Sequence, residues 1–239
     1  MGRWLALLLL GTFGFLKAEE FPLQKGEIDP FDRESVRRGA QLFAERCFGC
    51  HSLKLLRYRR LQRDLELTDR EMRNLFPGME RIHGTVVTGL DPEEGKRWFG
   101  AAPPDLSVRA RARGADWIYT FLLSFYRDDR RPFGVNNALL EKTAMPHVLW
   151  DLEGLKEAIL EERGLVKVVK GFTPPEGGKL SPEAYRKLVA DVTAFLVYAA
   201  EPALLERVPL GKWVLLYLLL LTFVLYRLKK LYWQEIESS

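Results

Sequence analysis

Cysteine is almost absent. Two residues in a chain of 239 are too few to staple a small fold through disulfides, so the core must hold itself together or be held by a bound group. The 19 glycines and 13 prolines follow no repeat, which excludes a fibrous chain. Strand signal is sparse, with Leu165 to Val169 the best short candidate. Excess charge is small as well, a net +4, and it sits at the ends: Arg3 and Lys17 near the N-terminus, and Lys212, Arg227, Lys229 and Lys230 against Glu235 and Glu237 near the C-terminus. Residues 19–207 are therefore balanced, which argues for no nucleic-acid partner. With 47% hydrophobic and 28% charged residues, disorder is excluded as the dominant state.

The two ends carry location signals. A short basic start, the apolar stretch Trp4 to Leu16 and the small residue Ala18 before Glu19-Glu20 predict a secretory signal peptide over 1–18, an uncleaved anchor being the competing reading. Val208 to Tyr226 contains a single charge, Lys212, near its start where the stem can snorkel. At about 1.5 Å per residue it spans roughly 28 Å, close to the hydrocarbon thickness of a bilayer. Trp213, Tyr226, Tyr232 and Trp233 lie where interfacial aromatics belong, and the basic cluster that follows places the tail in the cytoplasm by the positive-inside rule.

Between the ends, periodicity favours helices. Val36, Ala40, Phe43 and Cys47 mark one face of a helix over Asp32 to Cys47. Asp116 to Tyr126 is apolar all round and reads as a buried helix. Ser181-Pro182 starts another, whose inner face is Tyr185, Leu188, Val189, Val192, Phe195 and Leu196 and which stops at Glu201-Pro202. Residues 77–108 and 127–150 have little period, and two such stretches in a compact domain call for something rigid to order them.

Cys47-Phe48-Gly49-Cys50-His51 is C-x-x-C-H, the attachment signature of c-type haem. Two thiols three residues apart at a helix end can add to the two vinyl groups on one porphyrin edge, and the next histidine then lies under the ring within reach of iron. A thioredoxin-like redox pair would follow a strand, a zinc site needs about four ligands, and a disulfide here would close a very short loop. For the sixth iron ligand the residues offer Met72, Met79, Met145, His83 and His147. Met145 stands out beside Pro146 in an irregular stretch, with His147 its main rival; methionine ligation would raise the reduction potential.

The chain resembles the cytochrome c1 family, the haem subunit of the quinol–cytochrome c oxidoreductase (cytochrome bc1) complex. The resemblance runs through four ordered blocks: Arg37-Arg38-Gly39-Ala40-Gln41 to His51-Ser52 with Tyr58-Arg59; Pro103-Pro104-Asp105-Leu106-Ser107 with Ala112-Arg113 and Asp116 to Tyr126; Ala144-Met145-Pro146; and Asp191-Val192, Phe195-Leu196, Ala199-Ala200-Glu201-Pro202 and the C-terminal membrane helix. It implies one covalent haem c on Cys47 and Cys50, with His51 as proximal and Met145 as distal ligand. It further implies that a carbonyl at Pro103-Pro104 accepts the His51 ring N–H, that Arg113 lies near a haem propionate, and that Tyr126 lies beside the ring. The chain departs from the family at Trp98-Phe99-Gly100, where many members have asparagine, in a shorter step from Arg113 to Asp116, and in lacking a further cysteine pair. Two ionised propionates would take the balanced body to about −2, against the acidic face that mitochondrial relatives present.

The expected protein is mainly α, a cytochrome c fold with long haem-wrapping loops plus one C-terminal transmembrane helix. Its expected parts are a signal peptide (1–18), a periplasmic c-type haem domain (19–207), a transmembrane anchor (208–228) and a cytoplasmic tail (229–239), in the cell inner membrane. The resemblance implies that it passes single electrons from a Rieske iron–sulfur protein to a cytochrome c, beside cytochrome b in a dimeric complex, with no substrate-converting site of its own. The competing function is that of a haem c subunit of a different periplasmic dehydrogenase.

Overall fold

Asp32 begins the first helix by accepting hydrogen bonds from the Glu34 and Ser35 amides, and α1 (Arg33–Arg46) then buries Val36, Ala40 and Phe43 on one face, as their spacing predicts. This computed structural model describes residues 21–163 and 166–238; the expected signal peptide lies outside them. Beyond the C-x-x-C-H turn come β1 (Leu53–Arg57), α2 (Tyr58–Asp64) and α3 (Asp69–Leu75), the last opened by a capping box between Thr68 and Glu71. The stretch expected to lack periodicity holds β2 (Thr85–Val86) and α4 (Pro92–Phe99), which Asp91 caps and Pro92 starts.

Next are α5 (Arg109–Arg113) and α6 (Ala115–Leu122). The helix expected to reach Tyr126 stops four residues early. Thr120 and Ser124 turn their hydroxyls onto the carbonyls of Asp116 and Thr120, and Phe125 leaves as β3 (Phe125–Arg127), paired antiparallel with β4 (Val135–Asn137). Then follow α7 (Trp150–Glu153), β5 (Gly154–Leu155), a hairpin of β6 (Ala158–Arg163) and β7 (Val166–Phe172), and β8 (Glu176–Gly177), which pairs with β5. The expected strand segment falls in β7, apart from Leu165, which lies outside the described residues. Among the described residues there are four sheets, each two-stranded and antiparallel. The fold is mainly α, about half helical, in keeping with its sequence pattern.

Ser181 and Pro182 open α8 (Pro182–Ala200) as expected, and its contact with α1 is the centre of the core. The two backbones meet at Gly39, where a Cβ would stand 2.1 Å from the Asp191 carbonyl oxygen and 2.8 Å from Phe195 Cβ, so only glycine fits. Around this crossing Phe43 packs on Phe195, ring centres 5.3 Å apart. The buried Asp191 carboxylate accepts from the Ser35 hydroxyl at 2.6 Å and from both arms of Arg38 at 2.6 and 2.9 Å, so its charge is paired and bonded.

The last element, α9 (Leu204–Ser238), is the one helix among the described residues long and apolar enough to cross a membrane, and none of its apolar window is buried. It runs without a break through the segment expected as a tail. Its root is tied to the domain by Arg60, whose Nη2 donates to the Pro202 carbonyl and to Glu206, each at 2.9 Å.

Candidate haem-binding site

The C-x-x-C-H segment continues the last turn of α1. The Cys47 and Phe48 amides both donate to the Phe43 carbonyl at 2.8 Å, and the Cys50 and His51 amides to that of Cys47 at 3.0 and 2.8 Å. Both thiols and the imidazole are therefore carried on one tight turn. Both cysteines are free. Burial pushes the Cys47 thiol up to about 12, with Cys50 adding to it, and burial raises Cys50 as well. Neutral thiols are the opposite of the low-pKa nucleophile a redox C-x-x-C needs.

His51 Nδ1 lies 2.8 Å from the Pro104 carbonyl oxygen. A carbonyl can only accept, so the ring proton belongs on Nδ1 and Nε2 is left with a free lone pair. Burial lowers the His51 pKa against the opposing effect of that carbonyl, which keeps the imidazole neutral as a metal ligand must be.

The Pro103–Ser107 segment is held in register with the residues after His51. Asp105 Oδ2 accepts from the Lys54 amide and Oδ1 from the Ser107 amide, each at 2.9 Å; the Leu55 amide donates to Ser107 Oγ at 3.0 Å and the Leu106 amide to the Ser52 carbonyl at 2.9 Å. From α4, Gly95 admits the Pro103 ring, whose Cδ would stand 2.7 Å from a Cβ there.

The distal candidates separate by environment. Met72 is a fully buried core residue of α3, and His83 is exposed. His147 is buried; its Nε2 lies 2.9 Å from Glu153 Oε2 and its ring is stacked flat on Phe125, 4.9 Å between centres. Met79 and Met145 remain as thioethers packed on the core with part of their surface exposed. The Met145 amide donates to Thr143 Oγ1 at 3.3 Å and Pro146 follows.

Arg113 pairs with no carboxylate among the described residues; its guanidinium lies 5.1 Å over the Trp117 ring. Trp117 stacks on Phe121 at 5.2 Å, and Phe121 meets Phe125 edge-on at 5.2 Å, so one row of rings runs from Arg113 to His147. Tyr126, next along β3, points to the other face, 6.2 Å from Phe172. The structure thus brings His51 to Pro104 and links Arg113 to the Met145 loop through aromatics, while Tyr126 is placed beside the hairpin. The buried group His147, Glu153 and Lys156 was not expected: the i, i+3 spacing of Glu153 and Lys156 is visible in the sequence, but their burial is not.

Haem c fits these residues better than a bare ion. Among the described residues no three His, Cys, Asp or Glu side chains converge on a point that could hold a metal. What is present instead is two neutral thiols, an imidazole with Nε2 free, and a set of partly buried apolar side chains, Cys47, Phe48, Leu106, Trp117, Phe121 and Met145, on the same core. A flat apolar ring fixed through two thioethers would cover such a surface.

The Cytochrome C1 family model matches residues 23–154 and 179–236. Cytochrome c1 of Allochromatium vinosum is 44% identical over 219 residues, 90% of each chain. A protein named ammonia monooxygenase gamma subunit, from Nitrosomonas europaea, is 39% identical over 234 residues, 98% of this chain and 97% of that one. The mitochondrial heme protein cytochrome c1 1 of Arabidopsis thaliana is 29% identical over 253 residues, 93% of this chain and 74% of that one. These matches do not favour a haem subunit of a different periplasmic dehydrogenase. With a haem-attachment turn at the end of α1, a proline carbonyl on its histidine and two matched spans covering most of its length, the chain belongs to the cytochrome c1 family, the electron-transfer subunit of the cytochrome bc1 complex that carries one covalently attached haem c.

Proposed function

We propose that this chain takes single electrons from a Rieske iron–sulfur protein and hands them to a cytochrome c, beside cytochrome b in a dimeric quinol–cytochrome c oxidoreductase. Haem c, when bound, supplies one-electron exchange between Fe(III) and Fe(II). Cys47 and Cys50 would hold it covalently, and His51 and Met145 would ligate its iron. The Pro104 carbonyl holds the His51 tautomer and ring plane, which makes the imidazole a better donor. Arg113 would offer its guanidinium to a propionate. The chain makes and breaks no substrate bond.

The observation that carries this reading is the bond from His51 Nδ1 to the Pro104 oxygen at the end of the C-x-x-C-H turn, because it leaves the imidazole neutral with Nε2 free. In the cell, 1–18 acts as a signal peptide, 19–207 is a periplasmic haem domain, 208–228 anchors it in the inner membrane and 229–239 is cytoplasmic, the orientation following from Arg227, Lys229 and Lys230. Mild detergent extraction followed by identification of the co-purifying chains tests the assignment. Cytochrome b and a Rieske protein are expected; a dehydrogenase subunit in their place would overturn it.

A further inference from the structure

His147 lies two residues beyond Met145, across Pro146, whose ring fixes its own φ. The position of the imidazole is over-determined. One ring face is stacked on Phe125 with the planes 1° apart, and Nε2 is bonded to Glu153 Oε2 at 2.9 Å. The other carboxylate oxygen of Glu153 accepts from Lys156 Nζ. Lys156 also donates to the Leu123 carbonyl at 2.7 Å, just past the end of α6, and its ammonium lies 4.9 Å from the Phe172 ring centre in β7. All three side chains are buried, with exposures of 4%, 6% and 7%. A carboxylate placed there is tolerated only because a cation and hydrogen bonds meet it. The family match stops at residue 154 and resumes at 179, so that cation comes from a segment the family model does not cover.

We propose that Glu153 and Lys156 are positioning residues for the distal ligand: through His147 they clamp the far end of the Met145 loop against α6 and the hairpin, and so hold the thioether where it would reach the haem iron. This rests on Met145 as distal ligand. The distal loop is irregular, with no ladder of its own at 143–149, and a neutral thioether is a weak ligand that a displacement of about 1 Å removes from bonding range. A buried charge pair gives that loop a fixed end because moving either partner leaves the other unpaired.

The test uses the full-length haem-loaded chain in mild detergent, as wild type, Lys156→Met, Glu153→Gln and the double variant. Two properties are read besides thermal stability: the far-red charge-transfer band of methionine-ligated ferric haem, and the rate at which carbon monoxide binds the reduced protein. Either single variant is expected to weaken the band and to bind carbon monoxide at least about tenfold faster, since one buried partner is left uncompensated. The double variant, in which an amide still bonds His147 beside an apolar neighbour, is expected to return both to within about twofold of wild type. Single variants that lose stability yet keep the wild-type band and rate would overturn the proposal; if Lys156→Met does not accumulate, the isosteric Glu153→Gln decides by the same criteria. A wild type that itself lacks the band and binds carbon monoxide rapidly would refute Met145 ligation, and the clamp with it, whereas intact ligation in every variant refutes the clamp alone.

Discussion

The ring of His51 is held by the backbone of Pro104: Nδ1 donates to the carbonyl oxygen at 2.8 Å across 53 positions of sequence. A carbonyl cannot be removed by substitution, so the bond is best probed through Asp105, which fixes Pro104 by accepting the Lys54 and Ser107 amides at 2.9 Å.

Asp105→Ala should lower stability by about 1–3 kcal/mol, because two amides lose their acceptor, and a thermal melt in detergent measures it. The penalty depends on pH. Burial raises the Asp105 carboxyl, but hydrogen bonds from Ser107 and the Lys54 amide outweigh it and hold the pKa below the usual aspartate value. The contribution is therefore complete above that usual value and is lost as pH falls through the lower folded-state one, where wild type and variant should converge.

Met145→Leu should lower the midpoint potential by on the order of 100 mV and open the reduced protein to carbon monoxide, because a thioether favours the ferrous state and an alkyl group cannot ligate. Redox titration with a carbon monoxide difference spectrum reads both. An unchanged potential would remove Met145 from the iron and leave Met79 as the other partly buried thioether.

Arg113→Gln should lower the potential by on the order of tens of millivolts at low salt, with the difference shrinking as salt is added, since a cation near the ring disfavours the more positive oxidised iron. Arg111→Gln is the comparison, because Arg111 is already engaged by Glu201 at 3.5 Å. Equal shifts for the two variants would show Arg113 to be an ordinary surface charge.

Gly39→Ala should cost about 1–3 kcal/mol, as the added Cβ drives α1 away from the Asp191 carbonyl. Gly171→Ala, where a Cβ meets open space, should be near neutral in the same melt.

Much of this was legible in the sequence where local chemistry decides the outcome. Asp32 and Ser181-Pro182 are strong helix starts, the apolar spacing of α1 and α8 gave their inner faces, and C-x-x-C-H needs only five residues. Asp91-Pro92 and Thr68-x-x-Glu71 are equally good caps, so α4 and α3 could have been found from the same signals. The end of α6 was not legible, because Phe125 and Tyr126 read equally well as buried helix or strand until β4 pairs with them. Nor was the bond from His147 to Glu153, which depends on Lys156 folding back from beyond α7. At Tyr126 the strand alternation sets its direction toward Phe172, which no spacing shows.

Covalent attachment of haem at the end of α1 underlies the rest, and the intact mass of the purified chain tests it most directly, read together with its colour after acid and organic solvent extraction. The expected result is a mass exceeding that of the bare polypeptide by one haem, with colour retained in wild type and lost when Cys47 and Cys50 are both changed to alanine. A wild-type chain whose mass equals that of the bare polypeptide, or whose colour the solvent strips, would contradict it.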